Sequence, residues 1–157
     1  MPVLKTVFWG SLGALAWTHL GYPVAAETAA RIRARPVRPD DGADPSVVVV
    51  VAAHNEETVI ERRLENLLAL NYPADRLEIV VASDASTDAT NELVNAVAGR
   101  EPSVRLIDCE RGGKVAAQDR AVRETESDVI AFSDANATWA PDALRRLVSN
   151  LADPGVA

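Results

Sequence analysis

Cysteine occurs once in the 157 residues, as Cys109. A lone thiol forms no intrachain disulfide, so nothing in the chain requires an oxidising compartment. Histidine is almost as scarce, with His19 and His54 alone, which argues against a histidine-rich zinc centre. Basic residues are outnumbered, 16 lysines and arginines against 23 acidic residues, for a formal net charge of −7. Broad nucleic-acid binding needs a cationic surface to neutralise phosphates, so nucleic acid is not an expected partner. Two glycine signatures are missing as well. No G-x-G-x-x-G occurs, and Gly112-Gly113-Lys114 is followed by Val115 without P-loop spacing. There is no internal repeat, and no low-complexity tract beyond one short linker.

Apolar residues are what the chain has in quantity, 48% of the total, enough to give about one domain a core. Part of that content lies at the N-terminus. No residue from Thr6 to Ala26 is charged, and Phe8, Trp9, Leu12, Leu15, Trp17 and Leu20 dominate the stretch. Its length matches the ~20 residues a helix needs to cross the hydrocarbon core, and Trp9, Trp17 and Tyr22 are of the type that anchors at the interface. Val24-Ala25-Ala26 also resembles a signal-peptidase site. Against cleavage stand the single Lys5 ahead of the stretch and the run Arg31, Arg33, Arg35 and Arg38 behind it, which favours a cytoplasmic location for the C-terminal side of the stretch. The expectation is an N-terminal membrane-anchor helix over residues 1–30, a basic flank and linker over 31–45, and a domain over 46–157. Within the linker, "PVRPDDGADPS" has the proline, glycine and aspartate content of a loop.

The remainder alternates strand and helix. "SVVVVVAA", residues 46–53, is a β-branched run suited to a strand covered on both faces. Ile60, Leu64, Leu67 and Leu68 come next at helical spacing up to Asn71-Tyr72-Pro73. "LEIVVAS" (77–83) is a second buried strand, with a helix marked by Leu93, Val94 and Val97. "VRLI" (104–107) is a third, and a helix from Lys114 to Arg123 succeeds it. "DVIAFSD" (128–134) is the fourth, expected to run out of the core, and Leu144, Leu147, Val148 and Leu151 mark a last helix after Pro141. This order predicts an α/β domain with a mostly parallel sheet and right-handed crossovers.

In such open sheets ligands bind at the carboxyl ends of strands, and each of those ends is polar here: "HNEE", "SDAST", "RGGK" and "SDAN". Asn55 and Glu56 beside a helix start suit capping, and the functional alternative has Glu56 accept hydrogen bonds from a base or ribose. Asp84 suits an Asx turn, or acceptance of the imide N–H of a uracil ring; Asp88 suits the structural use better. Gly112-Gly113 before Lys114 and a helix N-terminus favour an anion, although a solvated lysine on a flexible loop is the ordinary reading. Asp134 and Asn136, two apart, point the same way in extended chain. Both oxygens are then available to one hard cation, Mg²⁺ or Mn²⁺, with substrate phosphates completing its shell. A strand-to-helix turn uses the same residues.

Taken in order, these segments resemble the inverting family 2 glycosyltransferases of the GT-A fold, including the cellulose-, hyaluronan- and poly-N-acetylglucosamine-synthase-like members. "VVVVVAAHNEETVIERRLENLLALNYP" is similar to their opening strand and helix, with His54 where an aromatic residue is frequent. "EIVVASDASTDAT" is similar to their Asp-Asp-Gly-Ser-Thr-Asp segment, with Ser83 and Ala85 replacing an Asp and the Gly. "GGKVAAQDRAV" resembles their Gly-Lys segment, and "FSDANATWAPDAL" their Asp-x-Asp motif, with Asn136 for the second Asp.

The resemblance implies a membrane enzyme that transfers a sugar from a UDP-linked donor to a glycan or lipid acceptor. It places the donor on Ala53, Asn55, Glu56, Asp84, Lys114, Asp134 and Ala135, and a divalent Mg or Mn ion on Asp134 and Asn136. The family's acceptor-activating carboxylate and its Gln-x-x-Arg-Trp motif lie well beyond the Asp-x-Asp segment, and neither occurs here. The chain is therefore expected to be the N-terminal part of a longer enzyme and inactive alone. The alternatives are a non-catalytic, membrane-anchored nucleotide-binding module, or another nucleotide-dependent α/β enzyme.

Overall fold

The computed structural model describes residues 2–156. Two compact units, Met1–Val37 and Arg38–Ala157, divide the chain.

The first unit is helical. Helix α1 (Pro2–Ala16) passes into a π-helical segment, Trp17–Gly21, and then into α2 (Tyr22–Ile32). The change of pitch has a local cause. Pro23 has no N–H to donate, and the Tyr22 N–H reaches the carbonyl of Trp17, five residues back, as in a π-bulge. Here the expectation from sequence is corrected. Helix α1 has 15 residues and α2 has 11, and among the described residues no helix is long and apolar enough to cross a membrane.

The second unit is the α/β domain. Strands β1 (Val47–Ala53), β2 (Leu77–Asp84), β3 (Val104–Cys109) and β4 (Val129–Asp134) pair in the order β3-β2-β1-β4, all parallel. Helices α3 (Ile60–Leu68), α4 (Thr90–Ala98), α5 (Lys114–Arg123) and α6 (Ala143–Ser149) come after the strands in turn. Central β1 has both faces covered, and Val47 to Val51 are at most 1% exposed. Odd-numbered valines face Ile60, Leu64, Leu67, Val94, Leu144 and Val148. Even-numbered ones face Ala117 and Ala121 of α5. Each buried valine contributes about 1.5–3 kcal/mol relative to exposure, which makes the β-branched run the spine of the domain.

Strand β4 departs from the expected buried strand. It pairs with β1 on one side, and Phe132 is 51% exposed while Val129, Ile130 and Ala131 are half-buried. Among the described residues no strand continues the sheet beyond it. Its start is clasped to that of β1 by Ser46 and Asp128: the Ser46 N–H and hydroxyl donate to Asp128 Oδ2 at 2.9 and 2.7 Å, and the Asp128 N–H donates to Ser46 Oγ at 2.9 Å.

Candidate functional site

Asp84 ends β2 and is 5% exposed. A buried carboxylate requires compensating donors, and Gly112 and Gly113 supply them. Their N–H groups donate to the same oxygen, Asp84 Oδ1, at 2.7 and 2.9 Å. The hydrogen bond from Gly112, with that from Gly113 and the charge of Arg111, outweighs the cost of burial and holds Asp84 below the usual carboxylate range. Both glycines are required by space or conformation. A Cβ on Gly112 would lie 2.8 Å from that of Ala116, and Gly113 has φ 83°. The anion that these two amides take is thus an internal one.

The loops after β1 and β2 are stitched together. Asn55 Oδ1 accepts the N–H of Thr87 at 2.8 Å, and the Asn55 N–H donates to Ser86 Oγ at 3.2 Å. The Glu56 N–H donates to Thr90 Oγ1 at 2.9 Å, and the Glu57 N–H to Asp88 Oδ2 at 3.1 Å. Asp88 also accepts the N–H and hydroxyl of Thr90 at 3.0 and 2.5 Å, the structural use expected of it. Asn55 (φ 56°) and Ala85 (φ 52°) both adopt left-handed backbone. Asparagine tolerates that conformation better than alanine does. Neither Asn55 nor Glu56 caps α3, whose N-cap is Val59.

At the end of β4, exposed Asp134 and Asn136 flank buried Ala135, the alternation that two residues facing one side require. The Lys114 ammonium, at the start of α5, pairs with Asp134 Oδ1. Behind this turn, Ser133 Oγ accepts a 2.6 Å hydrogen bond from Arg63 Nη2 of α3.

These strand ends enclose an open cleft of 290 Å³ lined by Ala52, Ala53, His54, Glu56, Asp84, Lys114, Asp134, Ala135 and Asn136. Of the residues singled out from sequence, Asn55 is the one outside the lining; its amide is committed to Thr87. Three residues were not singled out as site residues: Ala52, His54 and Arg111. His54 Nδ1 lies 2.8 Å from the Asp84 carbonyl oxygen, which can only accept, so Nδ1 donates. Nε2 is left to accept from Arg111 Nη1, while Arg111 Nε stands 3.5 Å from Asp84 Oδ2. Arg111 directly precedes the glycine pair, and that adjacency is the signal by which sequence could have found it.

The parallel register sets Ala52 opposite Asp134 and Ala53 opposite Ser83. Asp84 and Asp134 therefore flank the end of β1, two strand spacings or about 10 Å apart across the sheet. One end of the cleft offers a carboxylate oxygen beside a guanidinium, and the other an ammonium, a carboxylate and an amide. Among the described residues no group of three or more His, Cys, Asp or Glu side chains could hold a metal ion. Asp134 and Asn136 bring two oxygen donors, a set that fits a hard cation which takes its other ligands from phosphates and water.

Residues 48–157 match the family described as Glycosyl transferase family 2. A beta-monoglucosyldiacylglycerol synthase of Synechocystis sp. is 34% identical over 113 residues, 70% of this chain and 24% of that protein. The mannosyltransferase PcManGT from Pyrobaculum calidifontis, solved in complex with GDP-Man and Mn²⁺, superposes with a TM-score of 0.76 at 38% identity, over 90% of this chain and 43% of that one. Glucosyl-3-phosphoglycerate synthase from Mycobacterium tuberculosis, solved with Mn²⁺, UDP and glucosyl-3-phosphoglycerate, gives a TM-score of 0.54 at 25% identity, over 71% of this chain and 41% of that one. The chain thus spans about a quarter of the length of that curated relative.

Proposed function

The chain belongs to glycosyl transferase family 2, and from that premise we propose that its cleft binds a nucleotide-sugar donor for inverting transfer to a glycan or lipid acceptor. The observation that carries this reading is the placement of Asp84 and Asp134 in one cleft on opposite sides of the β1 end. That spacing leaves room for a base at Asp84, a ribose beside Glu56 and Ala53, and a diphosphate at Lys114, Asp134, Ala135 and Asn136.

The base we assign is uracil. Asp84 Oδ1 already accepts two backbone N–H groups, which leaves Oδ2 as a single acceptor with Arg111 beside it. Uracil presents one imide N–H between two carbonyl oxygens, matching one acceptor and one neighbouring cation. Guanine presents two adjacent donors, N1–H and the 2-amino group, which two free carboxylate oxygens would serve better. Both bases occur among the similar structures, GDP-Man in the mannosyltransferase and UDP in the glucosyl-3-phosphoglycerate synthase.

Transfer breaks the bond between the anomeric carbon and the diphosphate and forms one to an acceptor hydroxyl, so negative charge grows on the departing diphosphate. Lys114 is placed to meet that charge once it leaves Asp134 for the phosphates. Asp134 and Asn136 would hold the divalent ion, Mg²⁺ or Mn²⁺, which when bound neutralises the same leaving group. As a neutral amide, Asn136 gives less charge to that ion than a carboxylate would.

The domain assignment we propose keeps residues 1–30 as a membrane attachment, 31–45 as basic flank and linker, and 46–157 as the donor-binding part of the glycosyltransferase domain. The attachment rests on exposed apolar side chains along α1, the π-helical segment and α2, including Phe8, Trp9, Leu12, Leu15, Leu20 and Val24, and the arginines behind them favour the cytoplasmic face.

Calorimetry tests the donor site. UDP with Mn²⁺ should bind more tightly than GDP with Mn²⁺, and Asp84→Ala and Asp134→Ala should each weaken UDP. A folded chain that binds no UDP would overturn the reading.

A further inference from the structure

Arg63 is the largest fully buried side chain of the molecule, 1% exposed on α3, and its described hydrogen-bond partners are uncharged. Nη1 donates to Asn66 Oδ1 at 2.6 Å and Nη2 to Ser133 Oγ at 2.6 Å. The guanidinium carbon lies 4.9 Å from the centre of the Trp139 ring, and buried Nε has no partner among the described residues. Burial lowers the pKa of this group. A buried cation that has no counter-ion among the described residues bears the cost of leaving water with only neutral partners to offset it. Packing alone therefore gives no reason for an arginine here.

Its partners supply one. Ser133, which takes Nη2, directly precedes Asp134, and its hydroxyl also reaches the Asp134 carbonyl at 3.2 Å. Asn66, which takes Nη1, holds both backbone groups of Trp139, donating to its carbonyl at 3.0 Å and accepting its N–H at 2.9 Å. The one guanidinium thus ties helix α3 to both ends of residues 133–139, the segment that carries Asp134 and Asn136. A lysine could not span the two partners, because it lacks the planar fork.

We propose that Arg63 is a positioning residue for the cation-and-diphosphate end of the cleft: it sets the turn that aims Asp134 and Asn136 at the ligand, and has no part in holding the base at Asp84. This rests on the donor-site reading above. The test measures UDP affinity of the full chain by calorimetry with and without Mn²⁺, for the wild type, Arg63→Met and Ser133→Ala, with melting temperatures by circular dichroism.

The expected result is a metal-dependent gain in UDP affinity in the wild type that falls about 10–100-fold in both variants, the range for groups that orient a metal ligand from behind. Metal-free UDP affinity should stay within about twofold, as for a site not coupled to the change. Arg63→Met should melt no lower than the wild type, which a purely structural role would not produce. A wild type with no metal-dependent gain overturns the donor-site reading itself. A wild type with the gain, retained in both variants, overturns the role of Arg63 alone, as does an equal loss of metal-free and metal-dependent binding. Should Arg63→Met not fold, Ser133→Ala carries the same comparison, since it removes one hydroxyl and leaves the helix intact.

Discussion

Asp84 shows how one residue can be legible in sequence while its surroundings are not. A carboxylate at the end of the second strand is visible as a candidate; that two glycine amides from a loop 28 residues away would saturate one of its oxygens is not. Because its folded-state pKa is depressed, its contribution to stability is present above the ordinary carboxylate range and is lost as pH falls through the lower folded value. Asp128, held by the Ser46 hydroxyl and N–H, acts in the same direction. Asp84→Asn should therefore flatten the acid side of the melting curve between about pH 5 and pH 2, as monitored by circular dichroism. Ala85 offers a second prediction. At φ 52° it carries a left-handed penalty of about 1–2 kcal/mol, whereas glycine adds about 0.4–1 kcal/mol of unfolded-state entropy. Ala85→Gly should stabilise the fold by about 0.5–1 kcal/mol in urea titrations.

Element by element, periodicity carries much of the result. Five consecutive valines identify a strand buried on both faces, and Ile60, Leu64 and Leu67 identify the buried stripe of α3. Leu64→Ala should cost about 2–5 kcal/mol, while exposed Glu61→Ala should stay within about 0.5 kcal/mol; chemical denaturation separates the two. Arg63 falls on that same stripe, three residues after Ile60 and four before Leu67, whereas its solvent-facing neighbour Arg62 does not; periodicity marks the position as inward, and the charged residue type argues against it. Its burial depends on Ser133 and Trp139, which come from an element about 70 residues further along. Strand β4 is the other departure: its apolar start reads as buried before the strand runs out of the core, but burial depends on neighbours, and with one strand beside it among the described residues Val129 to Ala131 are half-buried.

At the scale of the molecule, residues 38–157 hold a core confined to their own unit. Deletion of residues 1–37 should leave the melting temperature of the sheet domain within about 2 °C, since both hydrophobic clusters are built from residues of 38–157. Membrane attachment is tested separately. Intact protein should co-sediment with membranes and a chain lacking residues 1–37 should not, and equal co-sedimentation of the two would sink the attachment. The N-terminal stretch also shows the limit of counting apolar residues. Its length satisfies the rule for a span, whereas the π-helical segment Trp17–Gly21 ahead of Pro23 interrupts the α-helix, and among the described residues no helix is long and apolar enough to cross.

What the chain determined by itself were local quantities: strand and helix order, the β1 spine, and the four polar strand ends where a ligand would lie. These arise from side-chain periodicity and backbone preference, which act over a few residues. The tertiary structure alone decided which of those residues share the cleft, that Asn55 is spent on Thr87, that the glycine pair serves Asp84, and that Arg63 stands behind Asp134. Each is a contact between residues 28 or more positions apart. Such contacts arise only once parallel pairing has brought the strand ends side by side, and which strands become neighbours is decided by the packing of the whole domain.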